Sequence, residues 1–127
     1  MKRKIMIPLT MATTAVALSV PTASAKNDDV RSTGSCTGNS SSKIKAKPRD
    51  GKLEVEFEVD QNRNGVKWNV RLKDNGKRVF RGTARTRAPS GSFSIERKIP
   101  NLRGTDALTG IGKNRSSGER CAPRTSS

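Results

Sequence analysis

The stretch LEVEFEVD, residues 53–60, alternates apolar and acidic side chains without a break. Successive side chains of an extended strand point to opposite faces, so the apolar residues share one face and the carboxylates share the other. The stretch from Ser42 to Lys47 alternates in the same way, and Asp50-Gly51 between the two stretches suits a two-residue type I′ turn. The sequence therefore predicts a β-hairpin with one buried face and one solvated face.

The turn at Asp50-Gly51 also sets the register of this hairpin, with a lysine of the first strand opposite each glutamate of the second. The expected facing pairs are Lys47 with Glu54, Lys45 with Glu56, Lys43 with Glu58, Ala46 with Val55, and Ile44 with Phe57. A slip of one residue would turn the glutamates toward the apolar side, so this register is well specified.

A competing pairing folds residues 53–60 onto the segment that follows the loop DQNRNG, residues 60–65. It would place Glu54 against Arg71 and Phe57 against Trp68. Both pairings could coexist in a three-strand meander, or the chain could cross to a second sheet at this loop. The residues alone leave these alternatives open.

The alternating carboxylates are most simply the charge-balanced, solvated face of a strand. A Ca²⁺ site would need oxygens that converge from several loop positions, and side chains about 6.6 Å apart along a flat strand do not converge. The spacing alone does not exclude a glycosidase-type pair of carboxylates. However, neighbouring lysines favour the charged carboxylate, and the sequence shows no cleft that would bury one of the pair.

Further alternating segments follow, separated by turn residues roughly every ten to fifteen positions. Val66–Leu72 places Trp68 on an apolar face, and Asn75-Gly76 predicts a hairpin that sets Val79 opposite Leu72. Later strands are expected at Phe93–Ile99, at Thr105–Asn114, where two glycines weaken the pattern, and at Arg120–Ala122. This organisation is typical of a small all-β sandwich.

Residues 1–25 are organised as a secretory signal peptide. The cationic start Lys2–Lys4 precedes a mostly apolar run from Ile5 to Val20, and Ala23-Ser24-Ala25 suits signal peptidase. The run is shorter than the ~20 residues that span a bilayer, so we expect cleavage after Ala25, secretion, and no transmembrane segment in the mature protein. We expect one domain at residues 36–122, with disordered segments at 26–35 and 123–127.

Cys36 and Cys121 are the two cysteines of the chain, one near each end of the expected domain. An exported protein with an even number of cysteines is typically disulfide-bonded. They lack CxxC spacing, and no His is present to activate a thiolate. The sequence therefore predicts a Cys36–Cys121 disulfide that braces a small domain.

The order of these segments resembles an immunoglobulin-like or fibronectin-III-like sandwich. The segments that carry the resemblance are GKLEVEFEV, VKWNVRLKDNGKRVF, SGSFSIERKI and GTDALTGIGKNRSSGERC. The ending Asn114, Gly118, Glu119, Cys121 is similar to that of small exported Ig-like proteins of high-GC Gram-positive bacteria. The resemblance covers about residues 36–122 and implies a seven-strand, two-sheet sandwich in which residues 52–60 cross to the opposite sheet at DQNRNG. It implies no particular activity.

The chain departs from the antibody pattern in two ways. The usual intersheet cysteine pair is absent, and the lack of Tyr removes the tyrosine corner. These departures leave open whether Leu108 or Ile111 faces inward.

The composition argues against an enzyme. The absence of His removes the usual general base, the Ser-His pair and the imidazole metal ligand. Because the cysteines are expected to be oxidised, Cys-based metal sites are excluded as well. We therefore expect no catalytic, cofactor-binding or metal-binding residues, with catalysis by carboxylates alone as a formal alternative.

The formal net charge is +15, and the positive charge is concentrated in the middle of the chain. Residues 61–103 carry twelve Lys and Arg but only Asp74 and Glu96 as acidic residues. We expect a basic stripe on one sheet and its adjoining loop, formed by Arg71, Lys73, Arg78, Arg81, Arg85 and Arg87.

This stripe leads to two hypotheses of function and one simpler explanation. The first is a secreted, non-enzymatic module that contacts anionic cell-wall polymers or another extracellular polyanion. The second is an inhibitor or adhesion module that binds protein through loops such as DQNRNG or APSGS. The simpler explanation is that the charge only keeps the domain soluble. We do not expect specific nucleic-acid recognition, because Trp68 and Phe57 are expected in the core and only Phe80 could stack a base among the arginines.

Overall fold

A computed structural model describes residues 30–34 and 36–127 of the chain, with side chains from Cys36 onward. This part of the protein is all-β and forms two antiparallel sheets. Within these residues no helix is long and apolar enough to cross a bilayer. The predicted signal peptide, residues 1–25, lies outside the described residues.

In the described part of the chain, nine strands make up the two sheets. They are β1 Val30–Gly34, β2 Ser41–Arg49, β3 Lys52–Asp60, β4 Lys67–Asp74, β5 Lys77–Arg85, β6 Ser92–Pro100, β7 Ala107–Asn114, β8 Arg120–Cys121 and β9 Arg124–Ser126. The first sheet has the order β1-β2-β3-β6, and the second has the order β5-β4-β7-β8, with β9 also paired to β7. The seven expected strands correspond to β2–β8.

The predicted hairpin register is confirmed at each of the five expected pairs, from Lys47 with Glu54 to Lys43 with Glu58. Asp50 and Gly51 both have positive φ, at 50° and 75°, as a type I′ turn requires. On its other side β3 pairs with β6 and not with β4. The chain therefore crosses to the second sheet at DQNRNG, and the competing pairing of Glu54 with Arg71 does not form.

The core lies between the two sheets and is formed by the alternating apolar residues of both. Phe57 and Trp68 are fully buried, and each contacts Phe93 at a ring-centroid distance of 5.9 Å. Leu108 belongs to this core. Ile111 faces outward, because it is paired with the exposed Arg71.

The hairpin after β4 differs from the expected register. Phe80, not Val79, lies opposite Leu72, because a bulge shifts the register between Leu72 and Lys73. A regular hairpin would have placed Arg81 opposite the buried Val70 and turned its charge into the core. The extra residue, Val79, is 36 % exposed, and the bulge directs Phe80 inward and Arg81 outward.

Both ends of the domain differ from the expectation of disorder. Val30–Gly34 pairs with β2, and Arg124–Ser126 pairs with β7. Asp106 and Ser127 exchange two backbone hydrogen bonds of 2.7 and 2.9 Å. The edges of β2 and β7 offer unpaired backbone groups, and the terminal segments satisfy them by adding strands.

The predicted Cys36–Cys121 disulfide is formed. Cys36 follows β1 of the first sheet, whereas Cys121 lies in β8 of the second. The Thr37 amide donates to the Arg120 carbonyl at 2.8 Å beside the bond. The disulfide therefore joins the two sheets along one side of the sandwich.

Candidate anion-binding face

The outer surface of the second sheet is built by the alternation of β4. Trp68, Val70 and Leu72 are buried, so the residues between them, including Asn69 and Arg71, point away from the core. The neighbouring strands follow the same alternation, and the residues that pair with these positions share the outer surface.

The strand register places like charges directly opposite one another on this surface. The facing pairs on β4 and β5 are Lys67 with Arg85, Arg71 with Arg81, and Lys73 with Arg78. Directly opposed like charges destabilise a sheet. This fold therefore carries an unfavourable electrostatic arrangement that a balanced mixture of charges would have avoided.

Strands β7 to β9 add further cations to the same surface. Lys113 pairs with Asn69 and with Arg120, and Arg124 pairs with Thr109. We call the resulting set the basic face; its members are Lys67, Arg71, Lys73, Arg78, Arg81, Arg85, Lys113, Arg120 and Arg124. All are exposed except Lys73, which is half-buried, and the described strands contribute no carboxylate to this face.

The structure brings together five of the six residues predicted from the sequence. Arg87 lies beyond the end of β5: its backbone bridges Ser92, and it lines the gap between β5 and β6, as Arg85 also does. The sequence prediction omitted Lys67 and Lys113, which the alternation of their strands would have revealed. It also omitted Arg120 and Arg124, which join the face only through the pairing of β8 and β9 with β7.

The outer surface of the first sheet is different, because three of its cations form ion pairs with carboxylates, although Arg49 also lies opposite Lys52. The Nζ of Lys43 lies 3.5 Å from Glu58, that of Lys45 lies 3.6 Å from Glu56, and the Nε of Arg49 lies 3.2 Å from Glu54. The interpretation of the LEVEFEVD carboxylates as a charge-balanced strand face agrees with these contacts.

One carboxylate on that surface has a like-charged neighbour. Glu96 lies opposite Glu56, and a hydrogen bond to Glu54 together with the charges of both neighbours raises the pKa of Glu96. The same hydrogen bond lowers the pKa of Glu54, and Arg49 and Lys98 lower it further. Glu96 is therefore the member of the pair that holds a proton more readily.

A depression of about 580 Å³ lies within the basic face. Arg71, Arg81 and Lys113 supply cations at its rim, and Asn69 and Thr83 supply uncharged polar groups. Its apolar lining residues are Ile111, which is 6 % exposed, and Val70, which is fully buried. We call this feature the Ile111 depression.

A second depression, of about 470 Å³, follows the open side of the sandwich between β5 and β6. Phe80 lines it, and the guanidinium carbon of Arg97 lies 4.3 Å from the centroid of the Phe80 ring. The sequence suggests Phe80 as the one residue among the arginines that could stack a base. This cation–π contact covers a face of its ring.

A third depression, of about 710 Å³, lies at the end of the sandwich where DQNRNG meets the segments next to the disulfide. Its lining is polar, and Ser40 donates to Glu119 from both its hydroxyl and its amide, at 2.6 and 3.0 Å. Glu119 comes within 4.8 Å of both cysteine sulfurs. Those sulfurs are bonded to each other, so they offer no thiolate to a metal.

No protein-family profile matches this sequence, and no curated protein matches it at a significant level. The solved structures similar to it include chicken MD-1 complexed with lipid IVa, at 14 % sequence identity and a TM-score of 0.31. That similarity covers 78 % of this chain and 97 % of the MD-1 chain.

Proposed function

We propose that this protein is a secreted, non-enzymatic module whose basic face binds an anionic polymer outside the cell membrane. The observation that carries the proposal is the basic face itself, where nine cations are gathered without a carboxylate among the described strands. A surface of one sign raises the local concentration of oppositely charged polymers and accelerates their association.

The proposal includes an Ig-like or fibronectin-III-like type for the sandwich. The order of the sheets supports it: β2, β3 and β6 stand where strands A, B and E would lie, and β5, β4, β7 and β8 where C′, C, F and G would lie. Trp68 on β4 is fully buried, in agreement with the buried Trp of strand C.

Secretion is part of the same proposal. The signal-like residues 1–25 support it, and so does the Cys36–Cys121 bond, because disulfides persist in oxidising compartments. The non-enzymatic assignment is supported by the lack of His in the sequence and by the bonded state of both cysteines.

The uneven distribution of charge favours a binding role over solubility alone. Solubility depends on net charge and would be served by cations dispersed over both surfaces. Here the first sheet pairs Lys43 and Lys45 with glutamates, whereas the second sheet sets Arg71 against Arg81. An anionic polymer would neutralise the opposed cations and relieve their repulsion.

Two triple variants of equal net charge test the proposal. One neutralises the basic face, with Arg71→Gln, Lys73→Gln and Arg81→Gln. The matched control neutralises three cations elsewhere, with Lys52→Gln, Lys98→Gln and Arg103→Gln, all of which are exposed and lie outside the basic face. Binding of the secreted protein to immobilised polygalacturonate and to immobilised polyphosphate is measured as a function of salt.

We expect the face variant to lose at least about tenfold in affinity. The slope of log affinity against log salt concentration should fall by about one for each contact with an anionic group that is removed. The control variant should bind like the wild type. Equal losses in the two variants would show that net charge alone governs binding. A wild-type protein that binds neither polymer at about 50 mM salt would refute the proposal.

A protein partner bound through the loops is the second candidate function, favoured by the polar depression next to DQNRNG. Such binding would depend on Asn62 and Arg63 at the loop and would change little with salt. The salt titration therefore separates the two candidates.

A further inference from the structure

We infer that the ligand of the basic face is an anionic polysaccharide, with one sugar ring seated in the Ile111 depression. The inference rests on the proposed function and specifies which polyanion the face accepts. It follows from the order of charged and uncharged pairs along β4 and β5, from the apolar component of the depression, and from the placement of the aromatic side chains.

Along the outer surface of β4 and β5, one uncharged pair interrupts three cationic pairs, of which the last, Lys73 with Arg78, follows the Arg71 pair directly. The uncharged pair Asn69 and Thr83 separates the cationic pair at Arg71 from the cationic pair at Lys67. These cationic pairs are four residues apart along the strand, which corresponds to about 13 Å. A polymer with closely spaced charges would leave the uncharged pair without matching groups. A chain whose anionic groups are separated by hydroxyl-bearing rings would match both kinds of pair.

The uncharged pair offers the hydrogen-bonding groups that sugar hydroxyls need. The Asn69 amide has two donors and an acceptor, and the Thr83 hydroxyl both donates and accepts. Both side chains are exposed, and both line the Ile111 depression. They can therefore reach a ring placed over it.

Ile111 gives the depression an apolar component beneath this polar rim. Binding sites for small ligands combine apolar surface with a few placed polar groups that fix orientation. A sugar ring has this dual character, because its C–H face is apolar and its edge carries hydroxyls. The guanidinium groups of Arg71 and Arg81 at the rim suit a carboxylate or sulfate on that ring or on the next one.

Nucleic acid fits the basic face less well, because no aromatic side chain is available to stack a base. The chain has three Phe, one Trp and no Tyr. Phe57, Trp68 and Phe93 are buried, and Arg97 covers the ring of the half-buried Phe80. Binding of single-stranded nucleic acid commonly relies on such stacking platforms.

The test uses charge-neutral changes within the depression. The double variant Asn69→Val, Thr83→Val removes the uncharged polar pair, keeps every cation, and places β-compatible residues on the strands. The matched control Thr109→Val makes the same kind of change on the same surface of β7, outside the depression. Titration calorimetry measures the affinity of each variant for hexagalacturonate, for a sulfated dextran oligomer and for inorganic polyphosphate, all of equal charge. Thermal unfolding confirms that each variant is folded.

We expect the double variant to bind hexagalacturonate, sulfated dextran or both about tenfold more weakly, since each lost hydrogen bond contributes modestly to affinity. Its affinity for polyphosphate should remain within about twofold of the wild type, and Thr109→Val should bind all three like the wild type. The glycan whose affinity falls in the double variant identifies the anionic group, which is a carboxylate for hexagalacturonate and a sulfate for dextran sulfate.

The inference is overturned if the double variant weakens glycan and polyphosphate equally, or weakens neither. It is also overturned if the wild type prefers polyphosphate at equal charge. These results would leave the proposed polyanion binding intact. Failure of the wild type to bind any of the three polymers would remove the proposed function as well.

Discussion

Thr86 is 1 % exposed and connects the loop between β3 and β4 to the end of β5. Its hydroxyl donates to the Arg63 carbonyl at 2.6 Å and accepts from the Val66 amide at 2.9 Å. Its backbone donates to the Val66 carbonyl and accepts from the Gly65 amide. One buried residue, Thr86, thus fixes the loop between β3 and β4, in which the chain changes sheets.

Thr86→Val keeps the shape of the side chain but removes the hydroxyl, leaving the Arg63 carbonyl and the Val66 amide without their partner. We expect a loss of about 1–3 kcal/mol in the free energy of unfolding, measured by urea denaturation. The control Thr86→Ser keeps the hydroxyl and should lose less. If Thr86→Val, which loses only the hydroxyl, costs no more than Thr86→Ser, which loses only the methyl group, the hydroxyl bonds do not dominate at this position and this account is contradicted.

Glu96 provides a pH-dependent prediction at the same scale. Its pKa is raised in the folded protein by the hydrogen bond to Glu54 and by the charges of Glu54 and Glu56. The folded state therefore holds this proton more tightly than the unfolded state, and stability falls as the pH rises through the titration of Glu96. Below that range Glu96 is protonated in both states and the penalty disappears.

Glu96→Gln should remove this penalty, because an amide can donate to Glu54 without carrying a charge. We expect a higher Tm than the wild type at about pH 7 and an unchanged Tm at about pH 3, measured by thermal unfolding. Glu58→Gln is the control, because Glu58 pairs with Lys43 and its neutralisation should give no gain. A gain of equal size at both pH values would contradict the electrostatic explanation.

At the scale of the elements, β7 shows how packing across the core explains residues that look unfavourable in a strand. Gly110 and Gly112 weaken the alternating pattern of this strand in the sequence. In the structure a Cβ added at Gly110 would lie 2.8 Å from Cγ of Phe57, whose ring is fully buried in the opposite sheet. Strand β7 can therefore approach Phe57 this closely only because Gly110 has no side chain.

Gly110→Ala should lower the free energy of unfolding by about 1–3 kcal/mol, because the buried Phe57 ring has little room to move. Gly82→Ala is the matched comparison. A Cβ there would lie 2.8 Å from Cζ of Phe80, but that ring is half-buried on the open side of the sandwich and can swing away. Denaturation curves should give Gly110→Ala a lower free energy of unfolding than Gly82→Ala. The reverse order would contradict this account.

The elements also show what sequence reasoning could and could not predict. The β2–β3 hairpin was predicted residue by residue, because a turn that requires positive φ and strict alternation specify the same register. The hairpin after β4 was placed one residue out of register, because alternation does not encode a bulge. Proximity in sequence places Arg87 beside Arg85, but the chain leaves the second sheet between the two residues. Arg120 and Arg124 were omitted, since only long-range pairing brings them to the basic face.

For the molecule as a whole, the two sheets divide the charge between two different surfaces. The first sheet pairs Lys43 and Lys45 with glutamates, and the second concentrates cations on the basic face. Under the proposed function, the basic face is the side of the molecule that would contact an anionic polymer. A flexible chain lying across several strands would touch β4, β5 and β7 together, so binding would depend on the two sheets and the strand order remaining intact.

The Cys36–Cys121 bond is expected to preserve that arrangement, because it ties the connection between β1 and β2 to β8 and closes a long loop. The cysteines are 85 residues apart in sequence, and the chain-entropy model gives about 4–5 kcal/mol for a loop of this length. That is comparable to the whole net stability of many small domains. The double variant Cys36→Ala, Cys121→Ala should therefore unfold at a much lower urea concentration than the oxidised wild type.

The reduced wild type is the matched control, since it loses the covalent bond but keeps both side chains. It should unfold near the double variant and far from the oxidised protein, because the effect arises from the constraint on the unfolded chain and not from the buried Cys121 sulfur. Below their unfolding transitions, both forms should still bind polygalacturonate, because the basic face is assembled by strand pairing. Equal denaturation midpoints for oxidised and reduced protein would mean that the two sheets hold together without the bond.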